Sequence, residues 1–321
     1  MKNNQFKNHK KNYIMNIKGI LVSAVAVFEN HIANGGEKLL GNASSIKRRP
    51  DGKVYVSGQM QRHVLFSAID RLNREDENNR NTFVSNGDGV SNQIENDIQA
   101  DLGGFMHPSK GDYSGRRTAP LSVTPAVALS QSEVGRDLLV RLKQNPNESD
   151  QKQALATREF SEYDLMHMNF FLDITTLGIS KAFNYENEFH IQTEYFKHVD
   201  ENERRRRVLL FMEATRSMND YANQARNAVS GEPQKVLIVL DEKLSRKASR
   251  YFTANETEKS NLLKELDARG AKYFLGDDTQ GETSVYSAYS QALDILNEST
   301  LYDPSQGDEH ILTFAEAFGN S

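Results

Sequence analysis

The stretch NASSIKRRPDGKVYVSGQMQRHVLFSAIDRL, residues 42–72, holds the most informative transition in the chain: a basic loop enters a short strand, turns at Ser57-Gly58 and becomes an amphipathic helix. Met60, Val64, Leu65, Ala68, Ile69 and Leu72 recur at helical spacing and form a buried stripe. Gln59, Arg62 and His63 fall together on the other side of the first turn. Ser57 is a candidate N-cap, so the turn after it carries backbone N–H groups without helical partners and the positive end of the helix dipole. A phosphate suits such an end. An ordinary strand-to-helix turn with a solvated Arg and His accounts for the same residues, but Lys47, Arg48 and Arg49 just upstream favour the anion site.

Upstream, IKGILVSAVAVF (17–28) is almost continuously apolar and β-branched, as expected of a central strand covered on both faces. The loop 29–50 is long for a compact domain and rich in Asn, Gly, Ser and Lys, as functional or mobile loops are. Downstream, residues 73 to about 161 lose periodicity and read as an insertion. Inside it, Asn86, Asp88, Gly89 and Glu95 stand at positions three, five, six and twelve of a calcium-type loop, but Val84 occupies the first ligand position and cannot coordinate the ion. No metal is expected there.

DLMHMNFFLDITTL (164–177) and FHIQTEYFK (189–197) alternate with period two and read as two strands. In the first, Met166, Met168, Phe170, Leu172 and Ile174 give one core face, and His167 and Asp173 are read as outward-facing polar residues rather than a catalytic pair. Asp200 and Glu203 form a capping box for a helix expected to reach about Ala228, burying Val208, Phe211, Met212, Thr215, Met218, Ala222 and Ala225. Arg204 to Arg207 oppose the dipole of its first turns, which leaves two readings open: a partner, or a solvated basic turn neutralised by Glu201 and Glu203. KVLIVLD (235–241) is another buried strand, and helices near Thr257–Arg269 and Ser284–Asn297 form a supporting layer. The order is β-α-β-β-α-β, an α+β chain of the ferredoxin-like arrangement.

With 321 residues, the chain can bury a substantial core. The net charge of -5 excludes a uniformly basic nucleic-acid binder, yet the basic residues bunch at Lys47-Arg48-Arg49, Arg116-Arg117 and Arg204 to Arg207. Acidic stretches run from Asp70 to Asp101 and from Asp277 to Glu309. With 0 cysteines there is neither a disulfide scaffold nor a thiolate metal site. No apolar run approaches the roughly 20 residues of a membrane span, and the basic N-terminus lacks a secretory apolar region, so a cytoplasmic protein without membrane partners is expected. P-loop, dinucleotide, zinc-protease and nucleophile-elbow motifs are absent, as is the aromatic segment of the usual RNA-recognition sheet. No cofactor is implied.

YVSGQMQRHVL behind an Asn-rich basic loop, followed by DLGGFM (101–106) and RRTAPLSVTPAVAL (116–129), resembles the backbone subunit of the CRISPR-associated Cascade complex, the seventh Cas family, in its DevR-like type I-B form. The resemblance covers roughly residues 17–241. It implies an RRM-like, ferredoxin-like palm at 17–73 and 161–245, a finger insertion at 74–160 and a thumb at about 178–202. Residues 1–16 are then a basic extension and 246–321 the C-terminal layer. It further implies a non-catalytic subunit that polymerises along CRISPR guide RNA, with target DNA met through guide pairing and with other Cascade subunits and copies of itself as partners. By the same resemblance Asn42, Lys47, Arg48, Arg49, Ser57, Gln59, Arg62, His63, Arg116 and Arg117 are the candidate RNA ligands. Related type III subunits cleave RNA with an aspartate after the first strand; here loop 29–50 has none and Asp51 lies just beyond it. A metal-dependent endoribonuclease and a stand-alone single-strand binder are the alternatives.

Overall fold

The computed structural model describes residues 14–40, 42–85, 91–106, 116–143, 152–307 and 309–318. The apolar run becomes strand β1 (Gly19–His31) at the middle of the main sheet. Its Ile20, Val22, Ala24, Ala26 and Phe28 point to the larger core, while Leu21 points to a second core on the opposite face. Both faces are covered, which is why the run does not alternate.

After β1 the chain crosses the basic loop into β2 (Tyr55–Val56) and α1 (Gly58–Glu75). Ser57 caps α1, its Oγ accepting the Met60 N–H at 3.2 Å. Val64, Leu65, Ala68 and Ile69 are buried as their spacing predicts, together with Gln61, Phe66 and Asn73; Met60 and Leu72 are partly buried. The intervening segment contains α2 (Ile98–Gly103), β3 (Leu121–Val123) and β4 (Ala126–Ala128). A hairpin follows, from β5 (Val134–Lys143) into β6 (Lys152–Asp173), a strand of 22 residues. Its outer half pairs with β5 and its inner half, Ser161 to Asp173, pairs with β1.

A second hairpin, β7 (Ile179–Glu186) and β8 (Phe189–Lys197), forms a two-stranded sheet of its own. Then come α3 (Glu201–Ala214), β9 (Lys235–Asp241), α4 (Glu256–Ala268), β10 (Lys272–Asp277) and α5 (Val285–Glu298). The main sheet runs β10, β9, β1, β6 and then β3 with β4, antiparallel at these junctions, while the short strand Ala43–Ser45 pairs parallel with the outer part of β6. β1, β3/β4, β6 and β9 with helices α1 and α3 make the β-α-β-β-α-β ferredoxin-like arrangement, so the α+β expectation holds.

The strand assignments within it change. Phe189–Lys197 does not join the central sheet; the second strand is β3 with β4, from inside the stretch read as an insertion. Alternation at 189–197 reflects a hairpin rather than a core face: its first four residues are exposed and the other five are only partly buried. His167 is not outward-facing: it is 9% exposed beneath the 247–253 turn and bonds Ser23 Oγ at 3.1 Å. Asp173 caps the turn after β6, accepting the Thr175 N–H at 2.9 Å. The C-terminal layer also supplies a strand, β10, which extends the sheet.

Helix α3 ends at Ala214 rather than near Ala228, and Ala225 is exposed. Thr215 turns its hydroxyl back onto Met212 O at 2.7 Å, one of the local bonds by which Thr competes with helix continuation. Asp200 caps α3 through the Glu203 N–H at 2.8 Å, but the Glu203 carboxylate serves Arg206 and Arg207 instead of closing the box.

That pairing settles Arg204 to Arg207. Glu201 and Glu203 do neutralise the turn, but it is not solvated: Arg204, Arg206 and Arg207 are buried, Arg205 is half-buried, and each is bonded to acceptors of the protein itself. Arg204 bonds Ile174 O, Leu177 O, Tyr302 O and Glu201; Arg205 bonds Leu296 O and Ser299 O. Arg206 reaches Glu203, Asn73, Asp76 and Thr82, and Arg207 reaches Glu203, Asp101, Ile94 O and Glu95 O. Of the calcium-type loop, Asn86, Asp88 and Gly89 lie outside the described residues, Val84 packs on the core, and Glu95 accepts the Phe314 N–H at 3.2 Å.

Among the described residues no helix is long and apolar enough to cross a membrane.

Candidate functional site

The first turn of α1 opens onto a cleft of about 680 Å³ lined by Gly58, Gln59, Arg62, His63, Phe66, Gln99, Leu121 and Val123. Three elements build it: α1 contributes most of the polar groups, α2 contributes Gln99, and β3 forms an apolar floor. Gln59 and His63 are exposed and Arg62 is half-buried. Ser57 Oγ is committed to the cap as an acceptor, which leaves its hydroxyl hydrogen available to a ligand.

Arg62 is the charge of this cleft. Its guanidinium lies 5.4 Å from the centre of the Phe66 ring, and Nη2 donates to Gly103 O at 2.7 Å. Among the described residues that is its one hydrogen bond to protein, so four of the five guanidinium N–H groups remain. Partial burial lowers its pKa from the ordinary value, but an arginine stays cationic at neutral pH. With the first-turn N–H groups behind Ser57, this gives a concave site rich in donors, with no acidic lining residue among the described residues, suited to an anion such as a phosphodiester.

Arg117 is the opposite case, and its candidacy as an RNA ligand is corrected. It is 7% exposed, and every N–H is used: Nε to Asp101 O, Nη1 to Ile179 O and Ser180 Oγ, Nη2 to Thr176 O and the Asp101 carboxylate. Asp101 is fully buried and also accepts Arg207 at 2.7 Å and the Gly178 N–H at 2.9 Å. Burial alone would raise the Asp101 carboxyl, but the Arg117 and Arg207 charges and the Gly178 N–H hold it below the usual carboxylate range. Arg116 lies in a short strand paired with Met106, and its side chain is outside the described residues.

The other basic candidates are not in the lining of the cleft. Arg48 and Val54 pair across the turn that leads into β2, with Arg48 3.7 Å from Glu159 and Arg49 3.9 Å from Asp51. Both arginines are exposed, and Lys47 is half-buried with its carbonyl held by Asn34. Asn42 is exposed and its carbonyl accepts the Thr157 N–H on β6. The cleft thus joins Gln59, Arg62 and His63, not all ten candidates.

Residue-by-residue reading missed Gln99, Phe66, Asp101 and Gly103. A signal was present in DLGG (101–104). A Cβ on Gly103 would overlap Arg62 Nη2, and Gly104 has φ +63° with a Cβ that would collide with the backbone of Arg117 and Ala119. The two sequence segments therefore meet in space: 57–66 supplies the site, 101–104 supports it and Arg117 ties that support down.

A sequence model described as "CRISPR-associated negative auto-regulator DevR/Csa2" matches residues 22–230. Comparison with curated proteins finds no match. A chain of a solved structure titled "CRISPR RNA-guided surveillance complex" is similar at TM-score 0.55 and 13% identity, over 87% of this chain and 98% of that one. Another, titled "CRISPR RNA-guided surveillance complex, pre-nicking", is similar at TM-score 0.50 and 12% identity, over 89% of this chain and 96% of that one. At such identities the likeness is one of fold. The family match spans more than half of the sequence and takes in the cleft, its α2 support and the buried arginine network: the chain belongs to the CRISPR-associated DevR/Csa2 family.

Proposed function

We propose that this protein is a non-catalytic guide-RNA-binding subunit that assembles in multiple copies along a CRISPR RNA, as the spine of a type I-B Cascade surveillance complex. The carrying observation is the α1 cleft, where among the described residues Arg62 keeps four N–H groups uncommitted at a helix N-terminus while buried Arg117 is saturated by protein acceptors. In this reading Ser57, Gln59, Arg62 and His63 hold phosphates or ribose hydroxyls, and Lys47, Arg48 and Arg49 add charge beside them. The hairpin 179–197 acts as the thumb and the hairpin 134–161 as part of the finger. Such groups fix the backbone and carry no sequence information, so the guide reads its DNA target by pairing. Other Cascade subunits complete the particle in the cytoplasm.

Native mass measurements on guides of increasing length test this. Mass rising in whole-subunit steps, unchanged when the spacer is scrambled, supports the spine. One copy per RNA at every length, or a preference for one spacer above about tenfold, overturns it.

A further inference from the structure

The α1 cleft does not hold Arg62 by itself; α2 does. Arg62 reaches across to Gly103 O at 2.7 Å, and its guanidinium fits against Gly103 only because that residue has no side chain. A Cβ there would overlap Nη2 and lie 3.2 Å from Arg62 Cζ and from Phe66 Cζ. The backbone of Gly103 does not require glycine, since its φ is not in the left-handed region, in contrast to Gly104. Gly103 is the last residue of α2 in a backbone conformation open to alanine, so the backbone itself does not call for glycine there. The surroundings supply the reason: Phe66 below, the Gly103 carbonyl in front, and the bare Cα at the side form a three-sided seat for one guanidinium.

The seat is fixed from behind. Asp101, two residues earlier on α2, is buried against Arg117, Arg207 and the Gly178 N–H. Those bonds tie α2 to α3 and to the base of the 179–197 hairpin. We propose that Gly103 is a positioning residue for RNA binding: it seats the Arg62 guanidinium in the wall of the cleft, and Asp101 anchors the seat. This rests on the reading of the cleft as the RNA site.

The experiment is a double-mutant cycle on Arg62→Ala and Gly103→Ala, with affinity for a labelled single-stranded RNA oligonucleotide measured by filter binding and folding followed by circular dichroism. Gly103→Ala meets only the far ends of side chains, so it is expected to fold with an unchanged spectrum. It should nonetheless weaken RNA binding by about tenfold, and that loss should vanish in the Arg62→Ala background, because there is no guanidinium left to displace. A purely structural glycine would give the same loss in both backgrounds. Arg62→Ala binding RNA as well as wild type would overturn the cleft reading itself. Weakening by Arg62→Ala but none by Gly103→Ala, or additive losses, would overturn the seat alone. Should Gly103→Ala fail to fold, Phe66→Leu removes the floor of the same seat and is judged by the same cycle.

Discussion

Arg117→Ala and Arg62→Ala remove arginines that a reading by charge treats alike, and the structure separates their effects. Arg117 is 4% exposed at its side chain and Asp101 is 0%. Truncating Arg117 strips the donors from Asp101 O, Thr176 O, Ile179 O and Ser180 Oγ, and leaves a buried carboxylate with Arg207 and one backbone N–H. Breaking a buried pair from one side costs about 3–5 kcal/mol, a large part of the roughly 5–15 kcal/mol that holds a domain together. Among the described residues Arg62 makes one bond, to a carbonyl that water can serve in its place, so Arg62→Ala costs about 1 kcal/mol or less. Urea unfolding followed by circular dichroism, beside filter binding of RNA, gives both quantities. Arg117→Ala should lose stability by several kcal/mol, while Arg62→Ala should keep its midpoint and lose RNA. Arg117→Ala folding with a loss under about 1 kcal/mol would refute the buried network, since a change that small is ordinary for an exposed site.

Burial pushes His198 down to about 4, with the Arg117 and Arg207 charges adding to the shift. Its unfolded value is about 6.5, so between those values the unfolded chain binds the extra proton and stability falls as pH drops, by up to about 3 kcal/mol. His198→Asn, measured by melting from neutral to acid pH, should flatten that slope, with the remainder left to His167, which burial lowers in the same direction; an unchanged slope would clear His198 of the effect. Each phosphate neutralised on a single strand contributes about -0.7 to the slope of log affinity against log salt, so Lys47, Arg48, Arg49 and Arg62 predict roughly -2 to -3 per copy. A slope near zero in a salt titration would remove these residues from the phosphate path. Finally, labelled complementary RNA incubated with the assembled complex and magnesium or manganese should stay intact. Asp51 turns its carboxylate to the Lys53 N–H at 3.3 Å, and regular cuts abolished by Asp51→Ala would restore the nuclease reading.

The α1 stripe, the doubly covered first strand and the caps at Ser57 and Asp200 were legible because each depends on local periodicity or a neighbour three residues away. The strand partners were not. Phe189–Lys197 alternates as well as any core strand, but alternation does not reveal which edge a strand pairs with, and LSV and AVA are too short to announce themselves. At the site, Gln59, Arg62 and His63 followed from helical geometry alone. What separates Arg62 from Arg117 is the number of acceptors each one meets, and the acceptors of Arg117 come from residues up to 63 positions away in the chain. The same long-range supply converts Arg204, Arg206 and Arg207 from an apparent surface patch into buried ties, with half-buried Arg205 beside them.

Strand β6 has a mechanical meaning as well. Its 22 residues, KQALATREFSEYDLMHMNFFLD, contain neither glycine nor proline, and the strand passes from the central sheet into the outer hairpin without a break. The outer part, roughly ten residues, spans roughly 33 Å at about 3.3 Å per residue. Length magnifies angle: a tilt of about 5° where β6 is clamped by β1 displaces the outer end of a straight strand of that length by roughly 3 Å, about the length of one strand residue. The aim of the outer hairpin is therefore set by the clamp at Ser161–Asp173, and errors in that clamp are magnified with distance along the beam.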